Sequence, residues 1–547
     1  MGELPIVKNM HFELIIDDMG SQGEGIGKIK DFTIFVEGAL PGDKIKTRII
    51  KVKKSYGFGK LIRLLEPSPM RVVPHCPSFH RCGGCQIQHM DYKSQLEFKR
   101  KRVRNSIERI GKLNDIVVHP TIGMENPLYY RNKAQFPVGM KDGKVEIGFY
   151  AARSHNIIDT PKCYIQDEVN SKIIPIIRKY IEDYKIPVYN EQNHTGLIRH
   201  ILIRVAFKTK EIMVCIIING KELPHKSELI NGLTKVPNMT GIVLNYNTKK
   251  TNVILGDKIN TLWGQDYITD YIGNIKFEIS PLSFFQVNPT QTKVLYEKAL
   301  EYAKLEGNEI VWDAYCGIGT ISLFLAKGAR KVYGVEIVGA AIEDARKNAK
   351  INNIRNVEFF VGKAEEIIPR MYEKEGIKAE VIVVDPPRRG CDENLINTMV
   401  KMEPKRIVYV SCDPGTLARD LKMLSEKGYR VEEVQPVDMF PHTTHVETVV
   451  LLSRKNPDDR IEIDIDLDEL DITSAESKAT YEEIKDYVLK NHSMKVSSLY
   501  ISQVKRKLGI EMGINYNLPK SKDVRVPQCP PEKGRFITEA LNHFRMV

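Results

Sequence analysis

Residues 309–452 alternate between short apolar runs and longer amphipathic segments. Apolar runs of four to seven residues predict buried strands, and amphipathic segments predict helices. Regular alternation of the two predicts a mostly parallel, doubly wound sheet that binds ligands at the carboxyl ends of its strands. The predicted strands are Glu309–Asp313, Lys331–Ile337, Val357–Val361, Val381–Val384, Ile407–Val410 and Val446–Leu452, and the predicted helices are Thr320–Lys327, Ala340–Asn352 and Thr416–Lys427.

The first 68 residues have a different pattern, with short β-rich runs such as His11–Ile16 and Thr33–Val36. A glycine-rich, turn-forming cluster, Gly20–Gly27, lies between them, and together they predict a small β-barrel. The following run, Lys44–Arg63, carries eight basic residues and no acidic one, interspersed with aromatic residues. This composition suits phosphate contacts and base stacking on one face of the barrel, although a solvated strand face is the alternative.

The region after the barrel mixes strand and helix patterns up to about residue 280. Within it, Lys93–Lys112 has a helical pattern with eight basic and two acidic residues, so this helix could also contact RNA. We therefore expect a multidomain α/β protein. Its predicted parts are an OB-like β-barrel (1–69), a mixed α+β central domain (70–280), a Rossmann-like domain (281–456) and a small helical C-terminal extension (457–547).

The C-terminal extension begins with an abrupt change of charge. Pro457–Asp471 contains eight acidic residues and one basic residue, which predicts a solvated linker. Residues 478–547 carry 13 Lys and Arg against 7 Asp and Glu. Two amphipathic segments, Tyr481–Lys490 and Val496–Leu508, predict helices that could form a helix-turn-helix-like pair or a partner-docking tail.

Composition narrows the class of protein. Of the 547 residues, 42% are hydrophobic and 28% are charged, which excludes a largely disordered or fibrous chain. The net charge of +11 weakly favours a polyanionic partner such as nucleic acid. No apolar window approaches the ~18 residues of a membrane span, and the first residues lack the features of a signal peptide. We therefore expect a cytoplasmic monomer that does not bind membranes.

Two strand ends carry groups suited to a nucleotide-like cofactor. The sequence Asp313-Ala-Tyr315-Cys-Gly317-Ile-Gly319 ends one predicted strand, and Glu336 ends the next. Glycines let the backbone approach a ligand, and a carboxylate in this place can bind the hydroxyls of a ribose. Dinucleotide sites usually have a third glycine where this chain has Ser322, so NAD is disfavoured.

Two further strand ends carry groups suited to catalysis. Asp385-Pro-Pro-Arg388 forms a rigid turn in which a carboxylate can face a flat base or the cofactor. Cys412 lies between a strand and a helix N-terminus, a place that predicts a lowered thiol pKa and a nucleophile. Glu447, at the start of the last apolar strand, is a candidate general base that His442 and His445 could orient, and these histidines could also bind phosphate.

The nine cysteines are too few and too dispersed for a secreted disulfide framework, but three of them are closely spaced. Cys76, Cys82 and Cys85 have the spacing of a metal centre, and Cys163 could supply a fourth ligand. The spacing alone suits zinc and an iron-sulfur cluster equally well.

The four strand-end motifs occur here as an ordered set, in which D-P-P-R-R-G precedes I-V-Y-V-S-C and then D-M-F-P-H-T-T-H-V-E. In this form they resemble the RNA uracil-5 methyltransferases of the RumA and TrmA type, over about residues 8–453. The resemblance implies a class I methyltransferase domain that uses S-adenosylmethionine. It implies Cys412 as the nucleophile and Glu447 as the base, and it implies Gln286, Tyr315, Glu336 and Asp385 as cofactor contacts. The residue after the nucleophile is usually Asn in this family, whereas here it is Asp413.

The N-terminal regions resemble one branch of this family. The cysteines resemble a 4Fe-4S site and the barrel resembles a TRAM domain, both of which belong to the ribosomal-RNA members. The resemblance therefore implies 23S rRNA as the substrate and partner. The alternatives are methylation of the transfer-RNA T-loop, and an RNA-binding assembly factor with little turnover.

Overall fold

The computed structural model describes residues 6–455, 480–508, 510, 528–544 and 546, and the predicted linker 457–471 lies outside them. The chain divides into two compact units, Met1–Pro457 and Asp458–Val547. No helix among the described residues is long and apolar enough to cross a membrane.

The first unit begins with the predicted barrel, which is confirmed. Its five strands close in the order β1-β2-β3-β5-β4. Gly27 was predicted to belong to a turn but lies in a strand, where a Cβ atom would be 2.2 Å from Leu14 Cδ1. Glycine therefore lets two strands approach closely at this point. The strands are β1 (His11–Met19), β2 (Gly25–Ile29), β3 (Phe32–Glu37), β4 (Lys44–Val52) and β5 (Tyr56–Glu66).

The central region follows helix α1 (Tyr92–Arg109) and the short strand β6 (Val117–Val118). It contains a seven-stranded sheet in the order β13-β12-β11-β10-β7-β8-β9 and a separate hairpin of β14 and β15. Its elements are β7 (Lys133–Lys141), β8 (Lys144–Tyr150), β9 (Ile157–Asp159), α2 (Asn170–Asp183), β10 (Ile198–Val205), β11 (Ile212–Ile218), α3 (Lys226–Leu233), β12 (Met239–Tyr246), β13 (Lys258–Gly264), β14 (Ile268–Ile272) and β15 (Ile275–Ile279).

The third region is built on an eight-stranded sheet in the order β18-β17-β16-β19-β20-β22-β21-β6. The first five strands are parallel, and β22 is antiparallel to both of its neighbours. The elements are α4 (Pro289–Ala303), β16 (Ile310–Ala314), α5 (Thr320–Leu325), β17 (Lys331–Glu336), α6 (Gly339–Ile351), β18 (Val357–Val361), α7 (Ala364–Glu375), β19 (Val381–Val384), α8 (Glu393–Met402), β20 (Arg406–Ser411), α9 (Pro414–Glu426), β21 (Tyr429–Val437) and β22 (Glu447–Arg454).

This sheet is covered on both faces, as the doubly wound prediction requires. Successive residues of β19 are fully buried and contribute alternately to two hydrophobic cores, Val381 and Val383 to one and Ile382 and Val384 to the other. Since side chains of a strand alternate between faces, these cores lie on opposite sides of the sheet. The fold class is thus confirmed.

Two elements that precede residue 280 lie against this third region. Helix α1 packs against α9, and β6 pairs in parallel with β21 through Glu433 and Val117. Elements on the two sides of the boundary predicted at residue 280 therefore pack against each other. The division into three N-terminal domains stays a prediction.

The described residues of the second unit form three helices, α10 (Tyr481–His492), α11 (Ser498–Lys507) and α12 (Pro531–His543). The first two agree closely with the predicted segments, and all three are in contact with one another. Their apolar faces share one core, formed by Ile484, Val488, Val496, Ile501, Val504, Ile537, Ala540 and Leu541.

Candidate active site

One cavity of about 1270 Å³ opens at the carboxyl ends of the parallel strands. Four of its lining residues end or directly follow β16, β17, β19 and β20, which is where a doubly wound sheet binds its ligands. The structure therefore brings together all six residues that were singled out as nucleophile, base and cofactor contacts. These are Gln286, Tyr315, Glu336, Asp385, Cys412 and Glu447.

The turn between β16 and α5 leaves room for a ligand. Tyr315, Gly317 and Gly319 all have positive φ, of 68°, 55° and 80°. A Cβ atom on Gly317 would meet no atom within 4 Å, whereas one on Gly319 would lie 3.0 Å from a Phe359 ring atom. Gly319 thus allows close packing, and Tyr315 adopts a conformation that is unusual for a residue with a side chain, as is common at functional sites.

The carboxylate of Glu336, at the end of β17, is hydrogen-bonded to the backbone of this turn. Its Oε2 accepts a hydrogen bond from the backbone N–H of Gly317 at 3.3 Å, and its Oε1 accepts one from Val338 at 2.9 Å. Each carboxylate oxygen has further acceptor capacity. Glu336 can therefore hold the turn and also accept hydrogen bonds from the hydroxyl groups of a ribose.

Exposed apolar side chains line the same part of the cavity, and the sequence analysis did not identify them. Phe284 is 65% exposed and Ile337 is 59% exposed. Leu282 and Val338 are also exposed and line the cavity. Such a surface suits a flat aromatic ring, since ligand sites combine apolar walls with a few polar groups. Two of these residues directly follow Glu336, which is the signal that could have found them.

Cys412 lies in the cavity, but its thiol pKa is raised rather than lowered as predicted. Burial is the main cause and the negative charges of Glu447 and Asp385 add to it, so that the pKa is about 12, although Arg388 acts in the opposite direction. The N-terminus of α9 does not offset this effect. Asp413 caps that helix by accepting hydrogen bonds from the N–H groups of Gly415 at 2.9 Å and Thr416 at 3.1 Å.

The carboxyl groups of buried Glu447 and half-buried Asp385 lie close to this thiol. Burial raises the pKa of Asp385. Burial and then the charge of Asp385 raise the pKa of Glu447, while Arg388 lowers it. A buried carboxyl group with a raised pKa can exchange a proton near neutral pH, so this pair is suited to general acid–base chemistry.

These charges predict the alkylation behaviour of Cys412. In wild type, we expect its reaction with iodoacetamide to accelerate about tenfold per pH unit from pH 7 to 9 without reaching a plateau, because only the thiolate reacts. In Glu447→Gln, alkylation at pH 8 should be faster, because one nearby negative charge is removed. Peptide mass spectrometry measures both rates. A plateau below pH 8 in wild type would contradict the raised pKa.

The loop between β21 and β22 delivers Glu447, and α1 holds this loop in place. Lys99 is fully buried and forms an ion pair with Asp438, and its Nζ also donates to the carbonyl oxygen of Phe440 at 2.9 Å. Tyr92 donates to the other oxygen of Asp438 at 2.9 Å. Arg102 donates to the carbonyl oxygen of Thr444. Two basic residues of α1, Lys99 and Arg102, therefore brace the loop, so that part of the basic pattern of this helix has a structural role.

We predict that Lys99→Met lowers the free energy of unfolding by about 3–5 kcal/mol, because the substitution leaves the charge of Asp438 buried and unpaired. The matched control is Lys101→Met, because Lys101 forms an exposed ion pair with Asp18 at 2.8 Å. Exposed pairs contribute only about 0–1 kcal/mol. Equal denaturation midpoints in urea for the two variants would contradict this account of the loop.

The two histidines of this loop are not cations at neutral pH. Burial lowers the pKa of each to about 4, as do nearby positive charges, Lys99 for His442 and Arg388 for His445. His442 Nδ1 lies 3.2 Å from Gln95 Nε2, whereas His445 lines the cavity. Phosphate binding by charged histidines is therefore disfavoured, and His442 instead connects the loop to α1.

The four cysteines of the predicted metal centre surround a second, smaller cavity of about 120 Å³. All nine cysteines of the chain are free thiols. Burial raises the pKa of Cys163 to about 11, and it raises the pKa of Cys85 still further, with smaller contributions from Cys163 and Cys82. The predicted ligands are thus brought together from two separate loops. They are Cys76, Cys82, Cys85 and Cys163.

The sulfur atoms of the cysteine cavity are not gathered around a single point. No group of three or more His, Cys, Asp or Glu side chains in the described parts of the chain is placed to hold a single metal ion. A single zinc ion would draw four sulfur atoms to about 2.3 Å from one point. The four thiols line one cavity, an arrangement from which they could ligate either a zinc ion or an iron-sulfur cluster.

The loop that contains Cys76, Cys82 and Cys85 is hydrogen-bonded to the loop between β21 and β22, which leads into Glu447. The backbone N–H groups of Gln86 and Ile87 both donate to the carbonyl oxygen of His442, each at 3.1 Å. Arg131 lines both cavities, and its guanidinium lies 5.6 Å from the ring centroid of Phe440. The two cavities are therefore neighbours, joined by Arg131 and by these backbone hydrogen bonds.

Family models match most of this chain. The model described as tRNA (uracil-5-)-methyltransferase matches residues 92–455, and the TRAM domain model matches residues 10–62. An uncharacterized RNA methyltransferase of Clostridium tetani is 56% identical over 452 residues, covering 82% of this chain and 98% of that protein. One from Bacillus cereus is 54% identical over 451 residues, with the same coverage of both chains.

A solved structure shares the architecture. The Pyrococcus abyssi tRNA (uracil-54, C5)-methyltransferase, in complex with S-adenosyl-L-homocysteine, superposes with a TM-score of 0.65 and 32% sequence identity. The match covers 80% of this chain and 99% of that chain.

Proposed function

The chain belongs to the tRNA (uracil-5-)-methyltransferase family and carries a TRAM domain, and from this premise we propose that it methylates carbon 5 of a uridine in 23S rRNA. Its family makes it an S-adenosylmethionine-dependent RNA methyltransferase. The observation that carries the proposal is that a cysteine, two carboxyl groups and the candidate cofactor contacts line one cavity.

The chemistry explains why a thiol and a carboxylate are needed. Carbon 5 of uracil is a weak nucleophile. Addition of the Cys412 thiolate to carbon 6 forms an enolate, and its carbon 5 can attack the methyl group of S-adenosylmethionine, which breaks the methyl–sulfur bond and leaves S-adenosylhomocysteine. Glu447 then removes the proton from carbon 5, and elimination breaks the bond between sulfur and carbon 6, which releases the methylated base and the Cys412 thiolate. The raised pKa of Glu447 suits a group that must accept this proton and later return it to solvent.

Cofactor binding is assigned to the glycine turn and its surroundings. When bound, S-adenosylmethionine supplies the electrophilic methyl group. Glu336 would accept hydrogen bonds from the ribose hydroxyls, and Tyr315, Gln286 and Asp385 would complete the contacts. The open space above Gly317 and the exposed apolar side chains beside Glu336 fit this ligand.

Access to the base requires that the uridine leave any helical stack, since a stacked base hides both faces of its ring. The barrel offers a surface for the flanking strand. Phe35, Tyr56 and Phe58 form a cluster with ring centroids 5.6–5.9 Å apart. Exposed Lys60 lies on β5 with Tyr56 and Phe58, and exposed Lys51 of β4 is opposite Phe58, which supports stacking together with phosphate contacts.

The substrate class is tested by labelling. The enzyme is incubated with S-adenosylmethionine carrying a tritiated methyl group and with separate transcripts of 23S rRNA and of transfer RNA. We expect 5-methyluridine in 23S rRNA and none in transfer RNA. Label in both or in transfer RNA alone would overturn the 23S assignment, and label in neither would count against methylation of either RNA.

A second candidate, methylation of the transfer-RNA T-loop, is favoured by one specific observation. The enzyme from Pyrococcus abyssi that shares this fold acts on uracil 54 of tRNA, according to its description. The cysteine cavity and the TRAM domain support ribosomal RNA instead, because they resemble features of the ribosomal-RNA members. The labelling experiment separates the two candidates directly.

We also propose that the four cysteines hold a 4Fe-4S cluster. The four free thiols around one cavity support this assignment, and the absence of a single-ion site among the described residues is compatible with it. The tethering of Gln86 and Ile87 to His442 gives such a cluster a structural role, since it would stiffen the loop that positions Glu447.

The cluster predicts the metal content of the purified protein. Anaerobically purified wild type should contain about four iron atoms per chain, in keeping with a Cys₄ cluster. Cys85→Ala should lose most of this iron, because one thiolate ligand is gone. Cys215→Ala is the control, since Cys215 is buried in β11 and does not line the cavity. Zinc in place of iron, or unchanged iron in Cys85→Ala, would contradict the assignment.

A further inference from the structure

The C-terminal unit lies outside the residues that the family models match. The methyltransferase family model ends at residue 455, and the match to the Clostridium tetani relative covers 98% of that protein but 82% of this chain. The family models therefore do not account for Asp458–Val547, and this unit needs a separate explanation.

The unit has the features of a small folded module. Eight buried apolar residues form its core. Thr480 and Glu483 form a capping box at the start of α10, and Ser497 caps α11 by accepting a hydrogen bond from the N–H of Tyr500. Side-chain capping of two of its helices favours a defined fold.

Lysines of this module lie near Tyr500 and near Cys529. Lys533 Nζ lies 5.9 Å from the ring centroid of Tyr500 and donates to the carbonyl oxygen of Lys495 at 2.9 Å. Lys507 and Lys533 both lie close enough to Cys529 to counteract the effect of burial on its thiol pKa. We call Lys495, Tyr500, Lys507 and Lys533 the basic surface.

Among the described residues of the module, no acidic side chain pairs with the lysines of the basic surface. Lys495 and Lys507 are exposed and Lys533 is half-buried, and none of the three forms an ion pair with a described residue. Other cations of the module do so, as Lys485 pairs with Glu482 at 2.9 Å. Helix α11 contains no acidic residue. Unpaired lysines beside an aromatic ring are the combination that binds single-stranded nucleic acid.

We propose that the basic surface is a second RNA-binding site, which holds single-stranded RNA through its phosphates and through stacking of a base on Tyr500. This proposal rests on the proposed function in one respect, because it takes the anionic partner to be RNA. Linked to the methyltransferase by one chain, such a site raises the effective concentration of the substrate at the cavity.

The test measures binding of a fluorescent polyadenosine oligonucleotide to the full-length chain without S-adenosylmethionine. Polyadenosine contains no uracil, so the result does not depend on catalysis. For single-stranded nucleic acid, each phosphate contact contributes about 0.7 to the slope of log affinity against log salt concentration. The triple variant Lys495→Gln, Lys507→Gln, Lys533→Gln loses three such contacts, so its slope should be less steep by about 2. Raising salt from 50 to 200 mM should then weaken wild type about 20-fold more than the variant.

The control variant removes three lysines that are each ion-paired in the first unit, Lys179→Gln, Lys249→Gln, Lys293→Gln, and its slope should match wild type. Circular dichroism confirms that the triple variant is folded. An unchanged slope in the triple variant overturns the proposal. Methylation assayed in parallel shows separately whether the proposed function stands.

Discussion

Cys412→Ala is expected to abolish methyl transfer, with turnover falling on the order of 10⁴-fold or more, as for other enzymes that lose a covalent nucleophile. The reason is chemical, because without addition to carbon 6 the uracil ring has no enolate with which to attack a methyl group. The thiol lies in the cavity at the carboxyl end of β20. Transfer of a tritiated methyl group to RNA measures the loss.

The Cys412→Ala variant should still bind RNA and the cofactor, because the substitution removes a small side chain from a cavity wall. Cys215→Ala is the matched control and should keep wild-type turnover, since Cys215 is buried in the central sheet. Turnover within tenfold of wild type in Cys412→Ala, with the protein folded, would remove Cys412 from the mechanism.

Glu447→Gln is expected to block a later step. Methyl transfer should proceed, but proton removal from carbon 5 should be slowed about 10²–10⁴-fold, which is the usual contribution of a general base. A covalent adduct between protein and methylated RNA should therefore accumulate. Denaturing gel electrophoresis with labelled RNA detects this adduct, and the released 5-methyluridine is counted in the same samples.

The control for this variant is Glu433→Gln, because Glu433 is a partly exposed residue of the neighbouring strand that pairs with His119 at 3.0 Å. It should neither accumulate an adduct nor lose turnover. The neighbouring Asp385 offers the sharpest alternative. If an adduct accumulated in Asp385→Asn and not in Glu447→Gln, Asp385 would be the general base instead of Glu447.

The repeating part of the fold was predictable because its signal is local. Apolar runs such as Val381–Val384 are buried on both faces of the sheet, and each predicted strand of residues 309–452 has an observed counterpart. Strand β21 was not predicted, since Tyr429–Val437 contains two glutamates and a proline, residues that disfavour strands. Its pairing with β22 and β6 is a tertiary effect that no local pattern reveals.

The candidate site was predictable as a set of residues, because strand ends of one parallel sheet meet at one edge. The direction in which the site shifts the pKa of its thiol was not predictable from the sequence. A cysteine before a helix suggests a lowered pKa, but the sequence does not show that Asp413 caps that helix or that Glu447 and Asp385 face the thiol. The basic pattern of α1 likewise suggested RNA, whereas burial of Lys99 against Asp438 depends on contacts between residues more than 300 positions apart.

The most direct test of the account is covalent trapping. The full-length protein is incubated with S-adenosylmethionine and a 23S rRNA transcript in which uridine is replaced by 5-fluorouridine. Fluorine at carbon 5 cannot be removed as a proton, so the enzyme should stall with Cys412 bonded to carbon 6. The account predicts a cofactor-dependent adduct that survives denaturation and maps to the peptide containing Cys412. An adduct at another residue, or no adduct while ordinary RNA is methylated, would contradict it.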